Sequence, residues 1–399
     1  MQSRSFLILV LAGGLISLLA MGSRAAFGLF LEPVSNDLGW GREVFGLALA
    51  IQNIVWGLAQ PFAAAIADKY GSGKTLLVSG ILYSAGLFLM SQTTTPSELY
   101  LTTGFLIGLG LSGAGMGVVM GSVGRAVSDE KRSMALGIVG AAGSLGQFTM
   151  VPLGQAFITS YGWSTALILI GVCSLLMLPA AAGVRGKADD SAVAGAGNLT
   201  LAIKEAAGSS SYWFLFGGFF VCGFHVTFLA VHLPAYIVDN NMAAEYGATA
   251  LSIVGLFNVI GSLAAGYLGG KYSKKYLLSS LYFARSALFI AFLLVPISPL
   301  TIIIFSGILG LLWLSTVPLT SGLVATLFGP KYMTTLFGFI FFSHQVGAFL
   351  GAWLGGVAYD LYGSYDAIWW LSVALGLISG ILHWPIKEPM PGVQPQAAS

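Results

Sequence analysis

The stretch Gly22-Ser-Arg-Ala-Ala-Phe27 aligns with Gly223-Phe-His-Val-Thr-Phe228 when the chain is compared with itself at an offset of 201 residues. The aligned segments continue to Pro33 and Pro234. A second set of identities follows at the same shift: Gly137, Gly146, Gly154, Tyr161, Gly162 and Ala166 lie over Gly338, Gly347, Gly355, Tyr362, Gly363 and Ala367. The shift is half of the 399 residues. Identities in two separate regions at one shift predict two copies of one structural unit.

The composition excludes a water-soluble fold. Charged residues make up 8% of the chain, whereas about 25% is usual for a soluble globular domain. Hydrophobic types make up 56%, and the mean hydropathy is +0.87. With so few charges, a soluble protein of this length could not cover its surface, so the composition predicts a protein that lies in a lipid bilayer.

Twelve apolar stretches are long enough to cross a bilayer as helices, since a core of about 30 Å needs about 20 residues. They begin near residues 6, 44, 74, 99, 133, 164, 212, 247, 276, 299, 333 and 366. Their length excludes the short alternating strands of a membrane barrel. We therefore predict an all-α membrane protein with twelve transmembrane helices in two parallel six-helix repeats and a central site between them.

The predicted domains are an N-terminal six-helix half (1–184), a linker on the cytoplasmic side (185–211) and a C-terminal six-helix half (212–399). The linker is the one polar, low-complexity region, rich in Ala, Gly, Ser and charge.

The basic residues are sorted by side if the N-terminus is cytoplasmic. The inner side then holds Arg4, Lys69, Lys74, Arg125, Lys131, Arg132, Arg185, Lys187, Lys204, Lys271, Lys274, Lys275, Lys331 and Lys387. The outer loops hold only Arg42, and most outer charges are acidic. The positive-inside rule therefore predicts a multi-pass protein of the cytoplasmic (inner) membrane with both termini in the cytoplasm.

The loop after the second predicted span reads Asp68-Lys-Tyr-Gly71-Ser-Gly-Lys74. It resembles the Gly-x-x-x-Asp-Arg/Lys-x-Gly-x-Arg/Lys signature of the major facilitator superfamily, except that Ala64 replaces the first Gly. The corresponding loop of the second half, Gly270-Lys-Tyr-Ser-Lys-Lys275, keeps the basic residues and lacks the Asp. An echo of the motif, Gly356 to Asp360 to Gly363, lies at the outer end of span 11.

This resemblance implies the major facilitator fold and transport by alternating access. It also implies that Asp68 pairs with basic groups and helix ends when the protein is closed on the inside. The gating candidates are Asp68, Lys69, Gly71, Lys74 and Arg125. The alternative is that these loop charges serve only the topology.

Polar groups inside the predicted spans are few, and each is a site candidate, because a charged side chain at a helix centre costs about 2.5–3.5 kcal/mol on insertion scales. The substrate-binding candidates are Arg24, Asn53, Gln147, His225, Asn258, Arg285, His344 and Gln345. His232 and Gln52 are further polar residues in the spans.

Arg24 and His225 occupy equivalent positions of the repeat, in spans 1 and 7. By the superfamily resemblance these spans line the central cavity from opposite halves, so the two side chains are expected to face each other. A guanidinium fits a carboxylate, and an imidazole can exchange a proton near neutral pH. The alternatives are that Arg24 extends toward the outer interface and that His225 is a hydrogen-bonded packing residue.

The other two ionisable candidates differ in their expected position. His344 in span 11 has Gly143 as its repeat mate, so it is an asymmetric addition that favours function, and with His225 it is a candidate for proton coupling. Span 9 is expected at the periphery, where an arginine such as Arg285 more often joins neighbouring helices than contacts substrate.

Within the superfamily, the stretch Ser23-Arg-Ala-Ala-Phe-Gly-Leu-Phe-Leu-Glu32 is similar to the Pro-Lys-Ser-x-x-x-Phe-Phe-x-Glu stretch of the monocarboxylate transporters and their bacterial oxalate/formate-exchanger-like relatives, with Arg24 on the functional Lys. His344 resembles in position the span 11 Lys of the oxalate exchanger. Span 8 departs from the family's Asp-x-x-x-Arg-Pro-x-x-Gly stretch, because Asn258 replaces the Asp and Ser262 the carboxylate-binding Arg.

The sequence thus predicts a secondary active transporter that moves a small organic anion, a monocarboxylate or related carboxylate, with protons as a coupling ion. The alternative is an efflux transporter for an amphiphilic or drug-like solute, although the exporters' Gly-Pro-x-x-Gly-Gly motif is absent from span 5. We expect a monomer in the lipid bilayer that is not an enzyme, needs no cofactor or metal and binds no nucleic acid.

Overall fold

The computed structural model describes residues 6–184, 199–329 and 332–388. These residues form helices joined by short loops, without a strand among them. The long helical segments are Phe6–Leu38, Arg42–Tyr70, Ser72–Met90, Pro96–Ala126, Glu130–Gly183, Ser210–Asp239, Ala244–Lys271, Lys274–Leu294, Pro299–Phe328 and Met333–Tyr362, followed by the shorter Asp366–Leu382. Ten of the segments are long and apolar enough to cross a membrane.

The segment Glu130–Gly183 contains two spans. Its 54 residues would form a helix of about 81 Å, far longer than a bilayer core of about 30 Å. The helix breaks at Gly162, whose φ of +78° favours glycine. With the 17-residue Asp366–Leu382 as the last span, the described residues contain twelve spans, as predicted, which we number α1–α12; α5 is 130–161 and α6 is 163–183.

Helix ends follow local sequence signals. Thr95 and Ser298 cap α4 and α10, each followed by a proline at the first helical position. At the other end, α1 and α11 stop at Gly39 and Gly363, both with φ of +66°.

The predicted linker 185–211 is only partly covered. Residues 185–198 lie outside the described residues. Its last part contains the helix Leu199–Gly208, which buries Ala202 and Ala206, so this portion is ordered and packed. The predicted C-terminal half also includes 389–399, which lie outside the described residues.

Buried apolar side chains form two clusters. One is built mainly from α1–α6, which we call the N-half, and the other from α7–α12, which we call the C-half. Even numbers of spans bring the chain back to the same side. We call the side where α1 begins and α12 ends the terminal side, and the opposite side the far side.

The repeated glycines are the points where helices cross at backbone contact. In the N-half, a Cβ on Gly22 would lie 2.5 Å from the carbonyl oxygen of Gly146. In the C-half, a Cβ on Gly347 would lie 2.0 Å from the carbonyl oxygen of Phe220, and one on Gly223 would lie 1.8 Å from that of His344. The same pair of crossings, α1 with α5 and α7 with α11, therefore builds both halves.

Substituting one of these glycines should destabilise its half. In α5, a Cβ on Gly146 would lie 2.1 Å from the carbonyl oxygen of Leu18, whereas a Cβ on Gly137 would have open space within 4 Å. We expect Gly146→Ala to cost about 1–3 kcal/mol, because the backbones must separate, and to lower the melting temperature in detergent. Gly137→Ala, in the same helix, should be neutral or slightly stabilising. Equal melting temperatures would contradict this packing.

Candidate functional site

The two halves are joined on the far side by an ion pair. Arg42 at the start of α2 forms a bidentate ion pair with Asp239 at the end of α7. Its Nη1 and Nη2 lie 2.6 and 2.7 Å from the two carboxylate oxygens. Its Nη1 also donates to the Tyr365 hydroxyl at 2.8 Å, and its guanidinium lies 3.5 Å from the centre of the Tyr359 ring. Burial raises the pKa of the Tyr365 phenol, which lies between α11 and α12, so the hydroxyl stays protonated. It can therefore donate to Nδ1 of His232, 3.3 Å away.

A second far-side contact uses the backbone of α2. The Asp360 carboxylate accepts hydrogen bonds from the backbone N–H groups of Arg42 and Glu43, at 2.9 and 2.8 Å. Gly356 permits this approach, since a Cβ there would lie 2.6 Å from the Arg42 carbonyl oxygen. The sequence echo Gly356–Asp360–Gly363 thus has a physical role: a carboxylate at the end of α11 caps the N-terminus of α2.

At mid-height, three amide side chains cross between the halves. Gln345 Nε2 donates to the backbone carbonyl of Asn53 at 3.0 Å, and Gln147 Nε2 donates to the backbone carbonyl of Leu251 at 2.8 Å. Asn258 Nδ2 donates to the Ser144 hydroxyl at 2.9 Å. The structure therefore places all four predicted amides, Asn53, Gln147, Asn258 and Gln345, on the seam between the halves.

Toward the terminal side, three glycines of the helices that form the seam lack close neighbours. About two turns from these bonds and on the same helix faces, Gly137 in α5, Gly266 in α8 and Gly338 in α11 each have open space within 4 Å of where a Cβ would lie. The seam is thus closed on the far side and open on the terminal side.

Arg24 lies at the closed end of the opening. Its Nη2 donates to Oδ1 of Asn53 at 2.7 Å, and its guanidinium lies 5.1 Å from the centre of the Trp56 ring. Its Nε is buried without a hydrogen-bond partner. Arg24 therefore points into the protein rather than toward the outer interface.

A small cavity adjoins Arg24 between α1, α2 and α7. It has room for about one water molecule. It is lined by Arg24, Phe27, Gly28, Leu49, Gln52, Asn53, Thr227, Ala230 and Val231. Its far-side boundary is a backbone contact, since a Cβ on Gly28 would lie 2.0 Å from the Ala230 carbonyl oxygen.

The structure does not bring His225 to Arg24. His225 is buried inside the C-half, where Nε2 donates to the Ser372 carbonyl at 2.8 Å and the ring packs 5.1 Å from that of Phe289. On α7 it is Thr227 that faces the cavity with Arg24. Two positions along a helix correspond to a rotation of about 200°, so a side chain at 225 points away from the face that carries 227.

His344 lies beside the seam. Its Nδ1 donates to Oε1 of Gln345 at 3.1 Å, and its ring stacks on Phe341, with centroids 5.7 Å apart and an interplanar angle of 8°. Gln345 therefore connects His344 to the backbone carbonyl of Asn53, whose side chain separately binds Arg24.

Arg285 joins helices, as a peripheral arginine was expected to do. It is 1% exposed, and its Nη2 donates to the carbonyls of Leu312, at 2.6 Å, and Trp313. These carbonyls end the first part of α10, which is interrupted before Thr316. The cation thus caps the C-terminal end of a half-helix. Asn258 binds the same interruption, since its Oδ1 accepts from the backbone N–H of Leu314 at 3.0 Å.

The gating candidates lie together at the terminal side of the N-half. Asp68 pairs with Arg125 at 3.0 Å, and both side chains are well exposed. Gly71 ends α2 with a φ of +99°. Lys69 lies over the Tyr70 ring, 5.2 Å from its centre, and Lys74 is exposed. The Asp68–Arg125 pair stays within one half in this open arrangement.

Three residues of the seam, Thr227, Arg42 and Asp360, were not among the predicted site residues. Thr227 lacked a signal, because a threonine in an apolar helix is common. Arg42 and Asp360 had one each: Arg42 is the single basic residue of the outer loops, and Asp360 is the centre of the motif echo.

Comparison with known proteins identifies the family. The profile of the Major Facilitator Superfamily matches residues 13–352. The chain belongs to the Major Facilitator Superfamily. Since this is a family of transporters, the predictions of the superfamily, of its fold and of a protein that is not an enzyme are confirmed.

Relatives within the superfamily are distant but cover most of the chain. An uncharacterized MFS-type transporter, YcxA of Bacillus subtilis, is 25% identical over 86% of this chain and 85% of its own length. Monocarboxylate transporter 13 of Bos taurus is 25% identical over 94% of this chain and 88% of its own. Monocarboxylate transporter 12-B of Danio rerio is 25% identical over 82% and 75%. The crystal structure of a D-xylose–proton symporter covers 97% of this chain and 99% of its own, with a TM-score of 0.75 at 13% identity, which supports the superfamily fold.

The far-side contacts should control access from the far side. Asp239→Asn removes the charge that crosses the seam, and we expect a loss of about 1–2 kcal/mol, equivalent to about a 5- to 30-fold larger far-side-open population. The measurement is the alkylation rate of Ala230→Cys, in a background with Cys173 and Cys222 replaced by alanine, by an impermeant maleimide added from the far side.

The matched control is Asp37→Asn. Asp37 is also on the far side, but it accepts a hydrogen bond from Trp163 within the N-half, so its change should leave the rate at the level of the background. Equal rates for the two variants would mean that the ion pair does not hold the seam closed.

Proposed function

We propose that this superfamily member is a secondary active transporter for a small organic anion, a monocarboxylate or a related carboxylate, coupled to protons. The observation that carries the proposal is the environment of Arg24. In the part of the chain that the structure describes, no carboxylate pairs with this guanidinium, and its partner is the neutral amide of Asn53. A permanent cation at mid-membrane without a counter-ion favours an anionic ligand.

Binding would occur by exchange of hydrogen-bond acceptors. A carboxylate entering from the terminal side replaces the Oδ1 of Asn53 as the acceptor of the Arg24 guanidinium. The charged carboxylate forms stronger hydrogen bonds than the neutral amide does. The rest of the substrate then lies toward the open side, beside Trp56 and Phe341, whose rings meet edge to face across the seam at 5.6 Å. These aromatic surfaces suit a small apolar body attached to the carboxylate.

Transport would proceed by rocking of the halves about the seam. On the far side, Arg42 separates from Asp239, and the α2 N-terminus separates from Asp360. On the terminal side, the faces that carry Gly137, Gly266 and Gly338 come together. Asp68, Lys69, Gly71, Lys74 and Arg125 lie where the closed terminal side would form, which supports their role as gating residues.

The orientation follows from charge. The terminal side carries the loops with Lys69, Lys74, Arg125, Lys271 and Lys274, whereas the far side has Arg42. By the positive-inside rule this distribution supports a cytoplasmic terminal side, and with it the proposed topology of a cytoplasmic-membrane protein with both termini in the cytoplasm.

His344 is the proton-coupling group that the contacts favour. Its partner Gln345 binds the backbone carbonyl of Asn53, and the side chain of the same Asn53 accepts a hydrogen bond from Arg24. His344 therefore lies two residues from the proposed site of the carboxylate, although Gln345 and Arg24 bind different groups of Asn53. His225 is enclosed within the C-half and lacks such a connection to the seam among the described residues. The names of two relatives as monocarboxylate transporters support the same substrate class.

Substrate binding should require Arg24. The measurement is the thermal shift of purified protein in detergent with acetate, lactate, pyruvate and benzoate, and with sugars, amino acids and lipophilic cations, at two pH values. We expect carboxylates to stabilise the wild type, and Arg24→Gln to weaken their binding at least about 100-fold. Arg24→Lys keeps the positive charge but loses the bidentate donor geometry of the guanidinium, so it should weaken carboxylate binding less than Arg24→Gln does.

Lys204→Gln is the control, because Lys204 is an exposed cation of the helix Leu199–Gly208; it should bind carboxylates like the wild type. Stabilisation by lipophilic cations instead of carboxylates would replace the anion proposal by efflux of an amphiphilic solute.

The pH dependence of transport should depend on His344. In proteoliposomes, uptake of the bound carboxylate should increase when the pH on the substrate side is lowered, since protons move with the anion. His344→Gln cannot take up a proton and should remove most of this increase. His225→Gln should keep it. A retained pH response in His344→Gln, together with its loss in His225→Gln, would transfer the coupling role to His225.

A further inference from the structure

The cavity beside Arg24 has a hydroxyl from the other half that lacks a partner. The Thr227 side chain, 2% exposed, lines the cavity from α7, and its Oγ1 is buried without a hydrogen bond. Threonines in helices ordinarily donate to the carbonyl four residues earlier, as Thr149, Thr249 and Thr326 do here. The hydroxyl of Thr227 is therefore available to a ligand in the cavity.

The N-half contributes a second unpaired donor, on a residue that lines the same cavity. The Nε of Arg24 is also buried without a partner, and Arg24 lines the cavity from α1. Two donors on opposite walls, one of them cationic, suit an acceptor with negative charge. A buried polar group that stays unpaired is unfavourable, so an acceptor between them would satisfy both at once.

We propose that Thr227 is a substrate-binding residue and that one carboxylate oxygen of the substrate lies in this cavity, bridging the Thr227 hydroxyl and Arg24. The inference rests on the proposed function, an organic anion as substrate. The space for about one water molecule fits a carboxylate oxygen, and the body of the substrate extends toward the open terminal side.

The bridge would also link binding to the closed far side. Directly beyond the cavity, Gly28 of α1 meets the backbone of Ala230 of α7. When the far side opens, α1 and α7 separate, so the distance between the Arg24 and Thr227 donors increases. An anion held by both donors therefore favours the far-side-closed arrangement.

Thr227→Val tests the inference, because valine has the same shape and lacks the hydroxyl. We expect the melting temperature without ligand to stay the same or rise, since a buried unpaired hydroxyl is removed. The affinity for the most stabilising acid among acetate, lactate, pyruvate and benzoate should fall about ten-fold. Thr227→Ser, which restores the hydroxyl, should bind within about three-fold of the wild type.

The control is Thr103→Val in α4. The Thr103 hydroxyl is also buried and unpaired, but Thr103 does not line the cavity, so this variant should keep the wild-type affinity. A packing role for Thr227 is the outcome if Thr227→Val lowers the ligand-free melting temperature and Thr227→Ser also binds weakly, and it would overturn the inference.

The two proposals fail in different ways. If Thr227→Val binds like the wild type while Arg24→Gln does not bind, the role of Thr227 is refuted and the proposed function stands. If the wild type binds none of the four acids, or if Arg24→Gln binds them normally, the proposed function is refuted, and the role of Thr227 with it.

Discussion

The close crossing of helices at repeated glycines is the constraint on which the rest of the structure depends. In a bilayer, moving an apolar side chain from lipid into the protein gains little free energy, because lipid tails are equally apolar. Helices therefore associate through close backbone packing and hydrogen bonds. Gly22 and Gly146 provide that proximity in the N-half, and Gly223 and Gly347 in the C-half. These crossings fix α1 against α5 and α7 against α11, and thereby set where Arg24 and Thr227 can point.

The contacts between the halves combine close backbone approaches, such as those at Gly28 and Gly356, with polar bonds. Within a half, extensive apolar clusters and backbone crossings hold the helices. Across the seam, the described contacts include single amide hydrogen bonds, such as Gln345 to Asn53, and one ion pair, Arg42 to Asp239. Each such hydrogen bond contributes about 0.5–1.5 kcal/mol. The halves can therefore stay intact while the seam opens and closes.

Sequence reasoning predicted the fold well, because membrane spans depend on length and composition, which the sequence contains directly. All twelve span starts lie within about three residues of the predicted ones, the sixth following the break at Gly162. Arg24 could be selected as a site candidate because a charge in an apolar run stands out, and its role stays a prediction.

The orientation of individual side chains was harder to predict. The repeat aligns His225 with Arg24, yet the two copies differ in which face of the helix meets the seam, and Thr227 occupies that face. The role of Arg285 depends on an interruption in α10, and the role of Asp360 depends on the backbone of a helix more than 300 residues earlier. Such through-space partners are not visible in hydropathy or spacing.

The contact of Asp360 has a consequence for sequence variation in this protein. Its carboxylate binds main-chain N–H groups, which every residue type except proline provides. Positions 42 and 43 can therefore change without removing these two hydrogen bonds, whereas the loss of the carboxylate at position 360 removes both. Of the two partners in this contact, only the α2 backbone tolerates substitution. Sequence changes in the first turn of α2 therefore leave these two far-side hydrogen bonds in place.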